Sequence, residues 1–255
     1  MKTKFFPPDE FCKKVASISN GFDFFDWVCN VPIDTLRTGS HRVFENIDDR
    51  PSSLVKKFLS IDGWEILELG PLEGGHTYQL EKLGAELTAV EAHPENFLKC
   101  LMVKNALEMN ARFLLGDFSE YLKKTSKSYD LIFASGVFYH MEDPVDLLWQ
   151  ISKRTDRIFE WTHYISRDQS NYAESSERNF LKEIEFSCNY YHYEYDQSRE
   201  DRSFAGVGEF SSRLTKEDFL RALIAVGFSN YEIVKDEFDH PGGPAFSFIA
   251  EKNKD

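Results

Sequence analysis

The sequence predicts an α/β fold in which a mostly parallel β-sheet is flanked by helices. Between residues 64 and 160, short apolar runs alternate with helical stretches, as expected for a parallel sheet with crossover helices. Each apolar run ends in polar or glycine residues, which indicates a strand that reaches the edge of the sheet. Near the C-terminus, two further apolar runs flank the Pro-Gly-Gly-Pro segment 241–244, which predicts an antiparallel hairpin that finishes the sheet.

Five apolar runs are the predicted parallel strands, and recognisable start and stop signals bound the helices between them. Pro94 opens a helix that is expected to close near Asn110, and Gly84 stops a short helix before it. Thr215 has the position of a helix N-cap, and Gly227 closes the helix that follows. The predicted strands span residues 64–69, 86–91, 111–115, 129–134 and 156–161.

The chain divides into four predicted units. Residues 1–60 form an N-terminal helical cap, and residues 61–164 form the sheet core. An inserted lid covers 165–213, and residues 214–255 supply the C-terminal helix and hairpin that complete the core. We interpret the cap and the polar, aromatic insertion as lids over the C-terminal edge of the sheet, with ordinary surface decoration as the alternative.

Composition restricts the classes of partner. The formal net charge of −13 repels phosphate backbones and anionic lipid, which argues against nucleic acid and membrane surfaces as partners. No apolar run has the ~20 residues of a membrane span, and the polar N-terminal segment does not look like a signal peptide. The lack of both leads us to expect a cytoplasmic location. The cysteines are scattered without metal-type spacing, so we expect reduced thiols and no metal site.

A glycine-rich loop follows the first strand and precedes a helix, as a nucleotide-binding turn requires. Gly70 would let the backbone turn close to a ligand, and Gly74 or Gly75 would let the helix start close to the strand. Glu91 ends the second strand about 20 residues later, where a carboxylate accepts hydrogen bonds from ribose hydroxyls. Asp117 ends the third strand, where it is placed for an adenine amino group. The alternatives are a solvated strand end for Glu91 and a helix cap for Asp117.

Four segments resemble the class I S-adenosylmethionine (AdoMet)-dependent methyltransferases: EILELGPLEGG, TAVEAHPENF, FLLGDFSEYL and YDLIFASGVFYHMEDPVDLL. The resemblance implies a Rossmann-like sheet of seven strands whose last strand is antiparallel. AdoMet would lie across the first strands, with S-adenosylhomocysteine as the product. Leu72 departs from the family, which usually has a second glycine at this point of the loop. The predicted cofactor-binding residues are Glu68, Gly70, Pro71, Gly74, Glu91, Ala92, His93, Asp117, Phe118, Ser135 and Gly136.

The segments GVFYHMEDPVDLLWQ and FLKCLMVKNAL look more specifically like the wobble-uridine carboxymethyltransferases of bacterial tRNA. In that group the tyrosine of the first motif lies near the group that is transferred. The matching residue, Tyr139, is therefore a candidate catalytic residue. The acidic charge of this chain argues against carrying over the nucleic-acid substrate.

Two histidines follow the fourth and fifth strands and are further catalytic candidates. An imidazole with the usual pKa of ~6.5 accepts a proton at neutral pH, which a hydroxyl or ammonium acceptor requires. His163 opens into the predicted lid, with Tyr164 beside it as a candidate substrate contact. The alternative for His140 is a bond to the backbone of the next helix, and His240 is interpreted as structural.

The sequence therefore predicts an AdoMet-dependent methyltransferase that acts on an oxygen or aliphatic nitrogen of a small-molecule substrate. The absence of N-P-P-Y or D-P-P-Y after the fourth strand favours these acceptors over planar amino groups. One alternative is a tRNA- or RNA-modifying enzyme that uses local basic sites such as Arg37, Arg42 and Arg50. Another is a non-catalytic AdoMet-binding protein. The acceptor and the oligomeric state stay open at this point.

Overall fold

The computed structural model describes residues 22, 24–33, 38–45, 48–166, 173–181, 186–194, 208 and 210–253. In these residues there are ten strands: β1 (Glu65–Leu69), β2 (Glu86–Glu91), β3 (Arg112–Leu115), β4 (Leu131–Ser135), β5 (Arg157–His163), β6 (Ala173–Leu181), β7 (Phe186–Glu194), β8 (Phe210–Arg213), β9 (Asn230–Glu237) and β10 (Ala245–Glu251). There are six α-helices in the same residues: α1 (Asp49–Phe58), α2 (Gly75–Lys82), α3 (Pro94–Ala106), α4 (Phe118–Lys124), α5 (Pro144–Ser152) and α6 (Lys216–Ala225).

Seven strands form the main sheet in the order β3-β2-β1-β4-β5-β10-β9. The first five in this order pair in parallel, whereas β10 is antiparallel to both of its neighbours. This confirms the predicted seven-stranded, mostly parallel sheet with an antiparallel last strand. The parallel strands all point the same way, so the loops that follow them meet at one edge of the sheet.

Local signals explain where the helices begin and end. The hydroxyl of Thr215 accepts a hydrogen bond from the N–H of Asp218, as predicted for the N-cap of α6. Helix α3 ends at Ala106, before the predicted Asn110, because Glu108 takes a positive φ of 52° that a helix cannot contain. None of the helices in the described residues has the length and apolar character needed to cross a bilayer.

Apolar side chains cover both faces of the main sheet. On one face, Phe133 of β4 stacks on Phe159 of β5 with ring centroids 4.6 Å apart. On the other face, Phe246 and Phe248 of β10 pack against Phe219 of α6. Full burial of each such ring contributes ~1.5–3 kcal/mol, so these rings help to hold the helices and strands of the core together.

The described part of the N-terminal unit contains one α-helix, α1. Ahead of it, residues 24–33 and 38–45, here called the strap, run in extended and turn conformations. A bridge joins Cys29 to His41, and a short 3-10 turn covers Val43–Glu45. The largely helical character of the cap stays a prediction, because residues 1–21, 23, 34–37, 46 and 47 of this unit lie outside the described residues.

Within the predicted lid, the described residues form a second, antiparallel sheet in the order β6-β7-β8. Tyr190 of β7 donates its hydroxyl to Asp143, which precedes α5, across 2.5 Å. Ser212 of β8 donates its N–H to the carbonyl of Met141 across 2.7 Å. The insertion is thus anchored on the segment between β4 and α5. This segment lies next to the edge of the sheet at which the parallel strands end, here called the functional edge. The boundaries of the four units stay a prediction.

Candidate cofactor and acceptor site

The tips of β1, β2 and β3 are tied together at the functional edge by backbone hydrogen bonds. Gly70, after β1, donates its N–H to the carbonyl of Val90 in β2 across 3.0 Å. Gly116, after β3, donates to the carbonyl of Glu91 across 2.9 Å. Gly70, Glu91 and Asp117 therefore follow three adjacent strand ends, in the arrangement that the prediction of one adenosyl site requires.

Glu91 is the central carboxylate of this edge and is only 6% exposed. Its two oxygens accept the N–H of Leu72 at 3.1 Å and the N–H of His93 at 2.8 Å, and the N–H of Ala92 also points at it. Burial raises the pKa of Glu91, and these backbone donors oppose that shift. A carboxylate has about four lone-pair positions. Capacity therefore remains for a ligand hydroxyl.

The glycine-rich loop approaches closely to the segment after β4. Gly70 has a φ of +63°, and a Cβ atom on it would lie 2.8 Å from Cγ1 of Val137. Gly74 has a φ of +80° and caps α2. Leu72, at the position where the family usually has glycine, also takes a left-handed φ of +57°. Position 72 therefore keeps the left-handed backbone conformation that glycine adopts easily, although it is occupied by leucine.

Glu68, in β1, and Pro71, in the glycine-rich loop, are both buried. Glu68 is 2% exposed and accepts a hydrogen bond from the hydroxyl of Thr77 in α2. Burial raises the pKa of Glu68 to about 8, so the group is mostly protonated at neutral pH. Its observed contact is with α2, and it connects β1 to the start of this helix.

Asp117 is the N-cap of α4, as its alternative interpretation proposed. Its Oδ1 atom accepts the N–H of Ser119 across 2.7 Å, and the side chain is exposed beside the half-buried Phe118. Only Oδ1 takes part in this hydrogen bond to Ser119, and Oδ2 does not. Helix capping and contact with a ligand are therefore compatible at this position.

Two buried polar atoms beside these strand tips fit an adenosyl ligand. Nδ1 of His93, after β2, and Oγ of Ser119, after β3, have no hydrogen-bond partner among the described residues. Buried polar atoms are normally paired, because an unmade hydrogen bond costs free energy. A nucleoside with hydroxyls and ring nitrogens would supply partners at both places. The cofactor role of each residue stays a prediction.

The end of β4 lies between the tips of β1 to β3, here called the cofactor side, and the region of Tyr139 and Trp161, here called the acceptor side. Ser135 accepts a hydrogen bond from Nη1 of Arg50 across 2.8 Å. Gly136 has a φ of +87° and donates its N–H to the carbonyl of Trp161 across 2.8 Å. A Cβ atom on Gly136 would lie 3.5 Å from the hydroxyl of Tyr139. The Tyr139 hydroxyl therefore lies close to the tip of β4.

The predicted catalytic residues belong to one cluster of rings. His163 has ring centroids 4.7 Å from Tyr139, 5.0 Å from Trp161 and 5.1 Å from His240. Tyr139 in turn lies 4.1 Å from His140. The structure thus brings together His163, His140 and Tyr139, and adds Trp161 and His240, which the sequence interpretation did not place in the site.

Hydrogen bonds fix the tautomer of His163. Nδ1 lies 2.9 Å from the carbonyl oxygen of Gly243 and 3.3 Å from that of Pro244. Because carbonyl oxygens only accept, Nδ1 carries the proton and Nε2 keeps a lone pair. Burial lowers the pKa of His163, and the nearby Arg213 and His240 lower it further, against the two carbonyl groups. His163 is therefore a neutral base at physiological pH.

The next helix, α5, has Asp143 as its N-cap, because the Oδ1 atom of Asp143 accepts the N–H of Asp146 across 2.9 Å. The alternative for His140, a bond to the backbone of this helix, stays a prediction. Burial, Arg213 and His163 lower the pKa of His140 to about 4, so this ring is also neutral at physiological pH.

Tyr164, predicted to contact the substrate, lies apart from the ring cluster. It is 8% exposed, packs on Phe246 with centroids 5.7 Å apart, and donates its hydroxyl to Asp236 across 3.4 Å. Successive residues of an extended chain point to opposite sides, so Tyr164 turns away from the side of His163. The structure does not bring this residue into the site.

A polar cleft of about 170 Å³ adjoins the ring cluster. Arg50 covers the ring of Trp161 at 4.5 Å and forms one wall. From the sequence, Trp161 is the end of the fifth predicted strand, Arg50 is a basic site and His240 is a structural residue. No sequence signal relates these three residues to one another, because they come from distant parts of the chain. The lining residues are Asp48, Asp49, Arg50, Trp161, Lys235, Glu237, His240 and Ser247.

The basic residues that motivated the RNA alternative are paired where the structure describes them. Arg42 forms an ion pair with Glu45, and Arg50 pairs with Asp48 across 3.2 Å. Arg37 lies outside the described residues. Arg42 and Arg50 are therefore each paired with a carboxylate.

Comparisons with known proteins agree with this geometry. Residues 67–155 match the family described as "Methyltransferase domain". The tRNA U34 carboxymethyltransferase of Campylobacter hominis is 27% identical over 144 residues, which cover 52% of this chain and 50% of that protein. The chain thus matches about half the length of this curated relative.

Solved structures show the same fold over a larger share of the chain. The N-terminal domain of EvdMO1, crystallised with S-adenosylhomocysteine and D-fucose, has a TM-score of 0.69 at 17% identity, over 99% of this chain and 100% of that one. Magnesium protoporphyrin IX methyltransferase (ChlM) from Synechocystis PCC 6803, with bound S-adenosylhomocysteine, has a TM-score of 0.55 at 13% identity, over 82% of this chain and 83% of that one.

Proposed function

We propose that this protein methylates a hydroxyl or aliphatic amine of a small polar molecule. The premise is that the chain is a class I AdoMet-dependent methyltransferase with AdoMet as its cofactor. The observation that carries this proposal is the state of His163. Its Nδ1 atom donates to the carbonyl of Gly243, so Nε2 is free to accept a proton. A carboxylate acceptor would not need such a base.

AdoMet, when bound, supplies a methyl group on a sulfonium, which is already an activated donor. The protein therefore has to hold the acceptor and remove its proton. Nε2 of His163 takes the proton of the acceptor hydroxyl or ammonium, and burial keeps the imidazole neutral before that event. Tyr139, whose hydroxyl lies near the tip of β4, orients the acceptor beside this base.

The cleft next to the ring cluster supports a small acceptor. Its volume of about 170 Å³ is below the ~300–1,000 Å³ of pockets for drug-sized ligands. Its wall combines the carboxylates of Asp49 and Glu237 with the cations of Arg50 and Lys235. Such a mixture of donors and acceptors suits a neutral molecule with several hydroxyl groups, and the EvdMO1 domain was crystallised with one such molecule, D-fucose.

A tRNA or RNA acceptor is the second candidate, supported by the similarity to the Campylobacter hominis tRNA U34 carboxymethyltransferase. The net charge of −13 opposes it, since binding to a phosphate backbone depends on released counterions and basic contacts. The pairing of Arg42 and Arg50 with carboxylates also opposes it.

Two measurements on the full chain test the proposal. Calorimetry is expected to show S-adenosylhomocysteine binding, and absence of binding to the pure protein would contradict the cofactor. A panel of monosaccharides, amino alcohols and tRNA, assayed with labelled AdoMet, is expected to show turnover on a small polar molecule. Turnover on tRNA alone, with salt-dependent binding, would establish the second candidate instead. Lack of turnover on every class would favour a non-catalytic AdoMet-binding protein.

A further inference from the structure

We propose that the strap is part of the cofactor site, and that Glu73 is the positioning residue through which the strap holds the loop between β1 and α2 in its ligand-binding conformation. This inference rests on the use of AdoMet stated above. It assigns a role to an N-terminal segment that lies outside the matched methyltransferase domain.

Glu73 lies inside the cofactor loop, is fully buried, and is bound mainly by the strap. Its Oε1 atom accepts the N–H of Val28 at 2.9 Å, and Oε2 accepts the N–H of Cys29 at 2.7 Å. Nζ of Lys99, in α3, lies 3.3 Å from Oε1, and Lys99 is 2% exposed. A buried charge needs such partners, because leaving it unpaired is costly. The loop, the strap and α3 are therefore joined at one carboxylate.

The strap touches the loop at a second place, where α2 begins. A Cβ atom on Gly75 would overlap the side chain of Val43, so only glycine allows this approach. Gln79 of α2 donates its side-chain amide to the carbonyl of Val43. Within the strap, Gly39 donates its N–H to the carbonyl of Cys29 across 2.9 Å, which keeps the two halves together. The strap thus binds both ends of the segment 73–79.

The loop needs this support because Leu72 is held in a left-handed conformation, with a φ of +57°, that L-residues avoid. Its N–H binds Glu91, and its carbonyl accepts a hydrogen bond from Sγ of Cys100 at 3.3 Å. If Glu73 were released, Leu72 would be free to relax out of this conformation. Glu91 would then lose a donor that orients it, and the cofactor would bind less tightly.

Titration of the full chain with S-adenosylhomocysteine tests the role of Glu73. We expect Glu73→Gln to weaken binding about tenfold at unchanged stoichiometry, because a charged acceptor of two backbone donors is lost. Glu81→Gln is the matched control. The carboxylate of Glu81 accepts the N–H of Asn110 at 2.8 Å and of Ala111 at 2.9 Å, but it lies outside the loop. Its replacement is expected to leave the affinity unchanged.

A rescue experiment separates positioning from mere stability. In Glu73→Gln, the additional change Leu72→Gly is expected to restore most of the affinity, since glycine adopts the left-handed conformation without cost. Loss of affinity that Leu72→Gly does not recover would overturn the inference, as would wild-type affinity in Glu73→Gln. If Glu73→Gln fails to fold, Gly39→Ala displaces the strap from outside the loop, because a Cβ there would overlap the backbone of Val28. Unchanged affinity in Gly39→Ala would then overturn the inference.

Amide exchange gives a readout that does not depend on turnover. The N–H groups of Val28 and Cys29 are expected to exchange more slowly when S-adenosylhomocysteine is bound, because the ligand and the strap stabilise the same loop. Equal exchange with and without the ligand would contradict the coupling. A wild-type chain that binds no S-adenosylhomocysteine would overturn the cofactor assignment itself, whereas wild-type binding with unchanged variants overturns only the role of the strap.

Discussion

Leu72 donates its backbone N–H to Glu91 across 3.1 Å, so the carboxylate at the end of β2 fixes the loop that follows β1. The two parts of the predicted cofactor site are therefore one unit. A change at either residue should therefore affect the position of the other.

Replacement of Glu91 should affect cofactor binding far more than replacement of His163. Glu91→Ala removes the acceptor proposed for the ribose hydroxyls and frees the N–H of Leu72. Loss of a hydrogen bond to a charged group costs ~1.5–3 kcal/mol, so the Kd for S-adenosylhomocysteine should rise at least tenfold (~1.4 kcal/mol). His163→Ala should leave this Kd nearly unchanged. Calorimetry on both variants checks the difference, and equal effects would contradict the division into cofactor and acceptor sides.

The pH dependence of turnover should show His163 acting as a neutral base. Because burial lowers its pKa, the imidazole stays unprotonated below the usual ~6.5, and kcat/KM should fall only as the pH drops through that lowered value. His163→Gln should reduce kcat by ~10²–10⁴-fold and remove this acid limb. His192→Gln, in β7 and outside the ring cluster, is the control. An acid limb that persists in His163→Gln would assign it to another group.

Replacement of Gly70 by alanine should weaken cofactor binding because the added Cβ clashes with Val137. Gly63 is a matched control that separates this clash from backbone strain. Gly70→Ala combines a φ of +63° with a Cβ that would lie 2.8 Å from Val137. Gly63 has a similar φ of +72° with nothing within 4 Å of a Cβ. Both variants should lose ~1–2 kcal/mol of stability, because alanine disfavours the left-handed backbone conformation. Only Gly70→Ala should also weaken the binding of S-adenosylhomocysteine. Thermal unfolding and calorimetry measure the two effects, and a loss of affinity in both variants would exclude the local clash as its cause.

Much of the sheet could be predicted from the sequence because each of its strands carries its own signal. The five parallel strands and the final hairpin are apolar runs that end in turn residues, and local chemistry fixes such elements. The order of Gly70, Glu91 and Asp117 followed from the same periodicity. Leu72 shows the limit of this approach, because Glu91 and the buried surroundings impose a conformation that the residue type disfavours.

The acceptor side was harder to predict because it depends on contacts between distant parts of the chain. The cleft joins Arg50 in α1 to Lys235 in β9 and His240 after it, and neither periodicity nor spacing relates such positions. Tyr164 shows how a difference of one position changes the outcome. It follows His163 directly, but its side chain points to the opposite side of the extended chain and so lies outside the ring cluster. The second sheet in the insertion was also missed, because its strands are rich in polar residues and lack the continuous apolar runs of the parallel core strands.

Glu160 should make the protein less stable as the pH rises. This residue of β5 is fully buried, and neither carboxylate oxygen has a hydrogen-bond partner within the part of the chain that the structure describes. Burial raises the pKa of Glu160 well above its usual value, so the native state keeps a proton that the unfolded state loses near pH ~4.3. Between these two values the native state binds more protons, and stability falls by up to ~1.4 kcal/mol per pH unit.

Glu160→Gln keeps the shape of the side chain and removes its titration. The variant should match the wild type near about pH 4 and become progressively more stable than it as the pH rises from about 5 toward the raised pKa of Glu160, because only the wild type must keep a proton on this buried group. Urea unfolding at several pH values measures this difference. Glu86→Gln, at an exposed position of β2, is the control and should show no such trend. Parallel stability curves for Glu160→Gln and the wild type would mean that the carboxyl group ionises in the folded state at its ordinary pKa and finds solvent or a partner there.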